Sequence, residues 1–425
     1  MRDSRRIIDR GDRYPVRVLV VGAGGVGDAL ARIAREREFF ELMVVADADV
    51  GKAERTVAAV QGPRDDARFV SAQVDASQAD SVRELATRHR ITHVVNAVDP
   101  RFVMGVFDGA FEAGADYLDM AMSLSRPHPE HPYSEPGVVL GSHQFAKTVE
   151  WERAGRLALV GMGVEPGLSD VFARYAADHL FSDIDELGTR DGANLEVEGY
   201  DFAPSFSIWT TIEECLNPPL IWERGRGWYT TEPFSEPEVF DFPEGIGPVE
   251  CVNVEHEEVV LMPRWVRARR ITFKYGLGSR FIDVLRTLHL LGLDSTEPVT
   301  VRSAGGPVQI SPRDVVAACL PDPAGLGERM HGKTCAGLWV TGSGRDMQPR
   351  EVYLYHVVDN AWSMRRYGVQ CVVWQTAVNP VVALELIAEG VWKGTGVLGP
   401  EAFDAVPFLE RLNDFGIPWG MQERS

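Results

Sequence analysis

The stretch Val16–Ala34, "VRVLVVGAGGVGDALARIA", decides the fold. Val16 to Val21 is a short β-branched run, and Ala29, Leu30 and Ile33 begin a stripe at helical spacing. Between them Gly22, Gly24 and Gly27 form G-x-G-x-x-G, with Gly25 and Val26 inside the motif. The order is strand, tight turn, helix. In such a turn the first glycine permits the bend, the second lets the backbone approach a pyrophosphate, and the third lets helix and strand pack closely.

The residues that follow repeat the alternation. "FELMVVAD" supplies a second strand from Leu42 to Ala46, ending in Asp47, twenty residues beyond Gly27. A carboxylate there can accept the ribose hydroxyls of NAD and repels the 2′-phosphate of NADP. NAD is the expected cofactor, although Lys52 and Arg55 could admit NADP; Asp47 could instead serve as a helix cap. "ARFVSAQVDAS" reads as a third strand ending near Asp75, and "SVRELATRHR" as a helix. "ITHVVNAVDP" is a fourth strand running into Asn96, Ala97 and Val98; "FVMGVFDGAFEAGA" is a helix, and "DYLDMAM" a short strand around Asp119. This pattern predicts an α/β fold with a doubly wound parallel sheet and ligands at the carboxyl ends of its strands. Asp75, Asn96 to Val98 and Asp119 would line that cleft, or supply ordinary loop polarity.

With 425 residues the chain is long enough for two domains, and its formal net charge of -19 disfavours nucleic acid and anionic membrane as partners. A small cationic substrate suits that charge. No apolar stretch reads as a membrane span, and "MRDSRRIIDRGDRYP" lacks the apolar core of a targeting peptide, so a cytoplasmic protein is expected. The five cysteines never take C-x-x-C spacing, which argues against a disulfide framework and against zinc. His128, Glu130 and His131 lie among prolines that block helical ligand spacing, so no metal site is expected.

After Met122 a Pro-, His- and Ser-rich stretch reads as a loop. "LALVGMGVEPGLSDVFARYAADHLF" reads as strand, turn and helix, with Pro166 in the first helical turn and Glu165 held near the positive helix end. From Leu187 to about Tyr275, short aromatic β-prone runs predict a mixed second domain. Phe281 to Leu291 reads as an apolar helix, "EVYLYHVV" and "QCVVWQTAV" as strands, and "NPVVALELIAEG" as a helix with Pro380 near its start. In "NVEHEEVVLMPR", strand alternation would put His256, Glu258 and Val260 on one side, with Glu257 and Val259 on the other. His256 and Glu258 could then face one cleft, or be a solvated strand edge. Trp209, with Trp222 and Trp228, could wall a cleft over an alkyl chain or fill a core. Arg264 and Lys274 are candidates for a substrate carboxylate, or exposed sheet charge.

Seven segments together resemble the saccharopine dehydrogenase-like family. They are "VLVVGAGGVG", "VVNAVDP", "DYLDMAM", "GMGVEPGLSDVFA", "FDFPEGIGPVE" followed by "EHEEVVLMP", and the tail "NPVVALELIAEGVWKGTGVLGPEAF" leading to "PFLERL". The resemblance implies a Rossmann domain over 15–160, an α+β substrate and dimerisation domain over 161–375, and a segment over 376–425 returning to the first. It implies a homodimer and a nicotinamide cofactor used to make or break a carbon–nitrogen bond. In that chemistry Glu258 would bind the substrate amine and His256 would move a proton, with Asp119 a further candidate to meet the amine. The specific expectation is an NAD-dependent lysine 6-dehydrogenase or saccharopine dehydrogenase. The alternatives are a polyamine enzyme of the carboxyspermidine dehydrogenase or homospermidine synthase kind, and an NAD-binding sensor without turnover.

Overall fold

The computed structural model describes residues 16–61 and 68–424; the amino-terminal stretch read above for targeting signals lies outside them. Among these residues the first sheet holds six successive strands: β1 (Arg17–Val21), β2 (Leu42–Asp47), β3 (Phe69–Gln73), β4 (His93–Asn96), β5 (Asp116–Asp119) and β6 (Leu157–Leu159). The spatial order is β3-β2-β1-β4-β5-β6, and a seventh strand, Gly396–Leu398, pairs with β6. All of these pairings are parallel. Helices α1 (Gly25–Ala34), α2 (Val50–Val60), α3 (Ala79–Arg88) and α4 (Val103–Glu112) cross between strands. This is the doubly wound arrangement the alternation predicts, and Val18 to Val21 are fully buried because helices cover both faces.

The glycine turn is set by close approach. Gly22 has φ +105°, and a Cβ there would sit 2.5 Å from the Ala97 carbonyl oxygen. At Gly27 a Cβ would lie 1.9 Å from the Gly22 carbonyl oxygen, whereas at Gly24 it would meet no atom within 4 Å. The first and third glycines are therefore steric requirements of the fold, and the second faces open space.

The second sheet is mixed. Its spine is Phe181–Ala193, paired in parallel with Arg270–Gly276 and antiparallel with Lys333–Gly344. Pro349–Asp359 follows, and Gly420–Arg424 adds the last strand on that side. The helix Cys371–Ala388 packs on α1 and ties the two sheets together, with Arg37 donating to both Glu385 carboxylate oxygens at 2.8 and 2.9 Å.

Four local readings differ from the structure. "QCVVWQTAV" is the first half of the helix Cys371–Ala388, and Pro380 lies inside that helix. Burial on nearly every side removes the polar positions that would have marked a helical period. By length and composition this helix could also cross a membrane, but it is a core element, 83% buried. After Asn253 the chain leaves the strand through a short loop holding His256 and enters the helix Glu258–Trp265, so this segment is not a strand. Pro166 precedes the helix Leu168–Tyr175, whose cap is Gly167. The helix Ser279–Leu290 buries only Ile282 and Leu285, so it is amphipathic and not apolar throughout.

The glycine geometry makes a direct prediction about stability. Gly27→Ala must push the turn apart and should lower Tm by several degrees, as overpacking by one methyl typically costs about 1–3 kcal/mol. Gly24→Ala meets nothing and should leave Tm within about one degree, apart from the small gain Ala brings to a chain that loses backbone freedom. Equal loss in both, measured by calorimetry, would contradict this reading of the turn.

Candidate active site

At the end of β2, Asp47 is held by two backbone donors, Ala23 N–H at 2.9 Å and Asp49 N–H at 3.0 Å. The carboxylate is thus fixed beside the glycine turn. Gly22, Asp47, Asp75, Ser77 and Val98 line a small pocket there. Asp75 keeps its carboxylate turned to Ser77, accepting from its N–H and hydroxyl at 2.9 and 2.6 Å. The open face at Gly24, the N-terminus of α1 and this carboxylate-lined pocket match the pyrophosphate and ribose of a nicotinamide dinucleotide.

A larger cavity of about 490 Å³ continues from this turn. On the nucleotide side Gly25, Val26 and Asn96 to Val98 line it. Asn96 is fixed by donating to the Tyr117 hydroxyl at 3.0 Å. The far wall comes from the second sheet and the helices and turns packed on it, and it is acidic: Glu165, Asp191, Glu214 and Glu257 line it with Tyr275. Asp99 and Asp322 line the cavity as well, and among the described residues that line it there is no Lys, Arg or His.

Local structure explains this convergence. Asp191 and Tyr275 are register partners on the two parallel strands, so their side chains leave the same face of the sheet. Glu214 comes from the helix Ile208–Leu216, and Glu165 from the turn before Leu168–Tyr175. Behind them His256 is stacked on Phe273 with ring centroids 3.8 Å apart. Its Nδ1 meets Glu258 Oε2 at 2.5 Å and its Nε2 meets the Tyr275 hydroxyl at 3.1 Å. Glu257 Oε2 lies 3.4 Å from the same Nδ1, while its Oε1 accepts the Met122 N–H at 3.1 Å. His256 and the two glutamates could together hold a metal ion by proximity alone. Both ring nitrogens, Glu258 Oε2 and both Glu257 oxygens are already engaged within the chain, so the group forms an ion-pair network.

The charges in this network are unbalanced. Burial works against the His256 cation, but Glu258, Glu214 and Glu257 outweigh it and push the imidazole up to about 10. Burial likewise opposes the Glu258 charge, and the adjacent His256 reverses that and lowers its pKa. One imidazolium thus satisfies one carboxylate. The others are left short: burial, with Glu258 adding to it, raises Asp191 to about 7 despite the opposing pull of His256. Burial also raises Glu214 to about 8, with Glu257 and Glu258 adding to it against His256. Glu165 is pushed well above the carboxylate range by burial and then by Glu258, whose carboxyl is within hydrogen-bond reach. Glu165 accepts from the Ser169 hydroxyl through Oε1, and its Oε2 is buried without a partner.

The structure brings some of the expected residues together and separates others. Glu165 lines the cavity, and His256 and Glu258 sit directly behind its wall, 1% and 0% exposed. They meet at a helix N-terminus, so Glu257 joins them instead of pointing to an opposite strand face. Asp119 is fully buried, accepting from Gly161 N–H, the Tyr117 hydroxyl and Gln144 at 2.7, 2.9 and 2.7 Å, and does not line the cavity. Burial raises its pKa to about 7. Lys274 is buried against Glu238 at 2.7 Å, and Arg264 lies over the Phe145 ring at 3.7 Å; neither reaches the cavity as an anchor for a carboxylate. Trp209 is a buried residue sandwiched near Arg101 and Arg313, with its indole N–H on Asp314 at 3.1 Å. Asp191, Glu214 and Tyr275 escaped the sequence reading because strand register and helix packing, not sequence proximity, gather them.

Two family profiles match the chain. Residues 18–159 match the saccharopine dehydrogenase NADP binding domain, and residues 163–417 match the saccharopine dehydrogenase C-terminal domain. A carboxynorspermidine synthase from Vibrio alginolyticus is 30% identical over 413 residues, covering 96% of this chain and 97% of the relative. A carboxyaminopropylagmatine dehydrogenase from Synechocystis sp. is 29% identical over 406 residues, covering 95% and 96%. The solved saccharopine dehydrogenase (L-Glu forming) of Saccharomyces cerevisiae shares the fold, with a TM-score of 0.67 at 12% identity over 96% of this chain and all of that one.

The raised acids predict how stability follows pH. Asp191 and Glu214 hold protons up to about 7 and about 8, whereas in the unfolded chain they lose them near 4. Between those values the folded state binds more protons, so stability must fall as pH rises. His256, raised to about 10, contributes stability below 6.5 that is lost between there and 10. The ligand-free protein should therefore lose Tm steadily from pH 5 to pH 8, and Glu214→Gln should flatten the slope. A Tm that climbs over that range would refute the charge assignment.

Proposed function

The chain belongs to the saccharopine dehydrogenase family, and we propose that it is an NAD-linked dehydrogenase that joins an aliphatic amine to an amino-acid aldehyde through a secondary amine. The observation that carries this reading is a cavity lined, among the described residues, by six carboxylic acids and no basic side chain. Saccharopine carries three carboxylates and would meet repulsion with no cationic anchor. A diamine or aminoalkyl guanidine would meet compensation. The names of the relatives favour the same branch: a carboxyaminopropyl group on an amine is what remains when a four-carbon α-amino acid with a terminal aldehyde is reductively coupled to it.

Glu214, Asp191 and Glu257 would hold the cationic amine against the cavity wall, where low dielectric strengthens each attraction. Attack on the aldehyde needs the neutral amine, so a proton must leave the nitrogen, and loss of water from the carbinolamine needs an acid. Glu165 suits both steps, because its unpartnered oxygen and raised pKa let one carboxyl accept and return a proton. His256 and Glu258 would act through Tyr275 and Glu165, as an ion pair behind the reacting groups that leaves Glu258 Oε1 open to a proton. A nicotinamide dinucleotide bound along the glycine turn would supply the hydride. Asp47, already oriented by two backbone N–H groups, favours a free ribose over a phosphorylated one and so favours NAD.

Purified protein should oxidise NADH only when an aliphatic diamine or agmatine and L-aspartate β-semialdehyde are both present, with NADPH a poorer donor. Mass spectrometry should find the secondary amine. Glu165→Gln should lower kcat by about 100-fold, the usual size of a general acid–base contribution. Reduction of NAD by L-lysine alone, with release of ammonia, would overturn the coupling assignment in favour of oxidative deamination.

A further inference from the structure

Beyond the cavity wall lies a second group of buried acids. Asp170 stands in the first turn of the helix Leu168–Tyr175, three residues from its Gly167 cap, and Glu401 lies in the short turn Pro400–Ala402. Both are 0% exposed. Asp170 spends Oδ2 on the Gly167 N–H at 2.8 Å, while its Oδ1 and both carboxylate oxygens of Glu401 meet no N–H or hydroxyl donor among the described residues. The two carboxyls are within hydrogen-bond reach of each other, which requires a proton between them. Glu258 is their next charged neighbour on the cavity side, with its Oε1 also buried and unpartnered. On the other side Glu401 faces the Arg264 charge, and Arg264 and Ala402 are exposed. The helix Glu258–Trp265 and the turn holding Glu401 both pack on the helix Leu168–Tyr175, so the series Glu165, Glu258, Asp170, Glu401 runs through one packed junction.

Asp170 Oδ2 caps the helix start, but one oxygen suffices for that, and among the described residues no N–H or O–H donor faces Asp170 Oδ1 or either Glu401 oxygen. Burial followed by their mutual charge pushes Asp170 well above the carboxylate range, and burial raises Glu401 to about 7. Each protonated or shared acid is a cost that an amide of the same shape would relieve. The proposed reaction supplies a use. Coupling an ammonium and an aldehyde with NADH forms one carbon–nitrogen bond, releases water and leaves a secondary ammonium and NAD. Atoms and charge balance only if one further proton enters per turnover.

We propose that Asp170 and Glu401 are positioning residues that form a proton relay between the Glu165–Glu258 pair and the protein surface beside Arg264. The proton enters at Glu401, passes to Asp170 and then to Glu258. It reaches Glu165 as that group gives its own proton to the leaving hydroxyl. In the oxidative direction the same series carries a proton outward. The inference rests on the coupling reaction proposed above, and on the packed position of these acids independently of which amine is used.

The test is Glu401→Gln and Asp170→Asn in the full-length enzyme, assayed with NADH, a diamine and L-aspartate β-semialdehyde while a pH indicator records proton uptake. Relay function predicts that both variants keep or raise Tm, because a buried acid has been neutralised, yet lose at least about tenfold in kcat with KM for the amine changed by less than about threefold. Proton uptake should lag NADH oxidation in the variants and coincide with it in the parent, and Glu401→Asp should restore part of the rate. If both variants match the parent in kcat and in its pH profile, the relay is wrong. If both lower Tm and lose activity in proportion to unfolding, the acids are structural and the relay is equally wrong. Absence of turnover in the parent enzyme would instead remove the coupling reaction itself.

Discussion

Four carboxyls share one imidazole at the centre of this protein, a fifth lies against one of them, and the rest of the site follows from that imbalance. Asp191, Glu214, Glu257 and Glu258 feel the His256 charge, Glu165 lies against Glu258, and only Glu258 has its pKa lowered by the ring. A buried carboxylate without a cation is expensive enough that the group keeps its proton instead. Among the described residues that line the cavity, no Lys, Arg or His balances these acids. A cationic ligand completes the arrangement, and the nucleotide turn at the other end of the same cavity places a redox cofactor within reach of it.

The two sheets divide this work. The parallel sheet presents strand ends and a helix N-terminus, which is where backbone donors and open space favour a dinucleotide. The mixed sheet supplies flat, rigid register, so that Asp191 and Tyr275 emerge side by side and Phe273 lies against the His256 ring. The helix Cys371–Ala388 locks one sheet to the other through α1. Acids on the second sheet therefore keep a fixed distance from the cofactor cleft on the first.

The nucleotide half was legible because its determinants are local. Three glycines, a β-branched run and an acid at the end of the next strand lie within one βαβ unit, and the steric demands at Gly22 and Gly27 leave the sequence little choice. The charged half was legible only in part. His256 and Glu258 stood out as a pair, but "VEHEEVV" alternates like a strand while folding as the start of a helix. Burial of Val259, Val260 and Leu261 on all sides hides the helical period, as it does in "QCVVWQTAV". Asp191 and Glu214 gave no local signal, since one lies in a long strand and the other near the end of a helix more than twenty residues away. Lys274 and Arg264 looked like anchors by charge alone, and tertiary packing turned one onto Glu238 and the other onto Phe145.

The measurement closest to the central claim is calorimetric titration of a diamine into the NAD-bound protein at pH 7, repeated in buffers of different ionisation enthalpy. Because Asp191 and Glu214 hold protons near that pH, a bound cation must displace them, so amine binding should release protons to the buffer and weaken as pH falls. Proton uptake on binding, or binding that strengthens toward acid pH, would contradict the account of an unbalanced acidic site awaiting a cation.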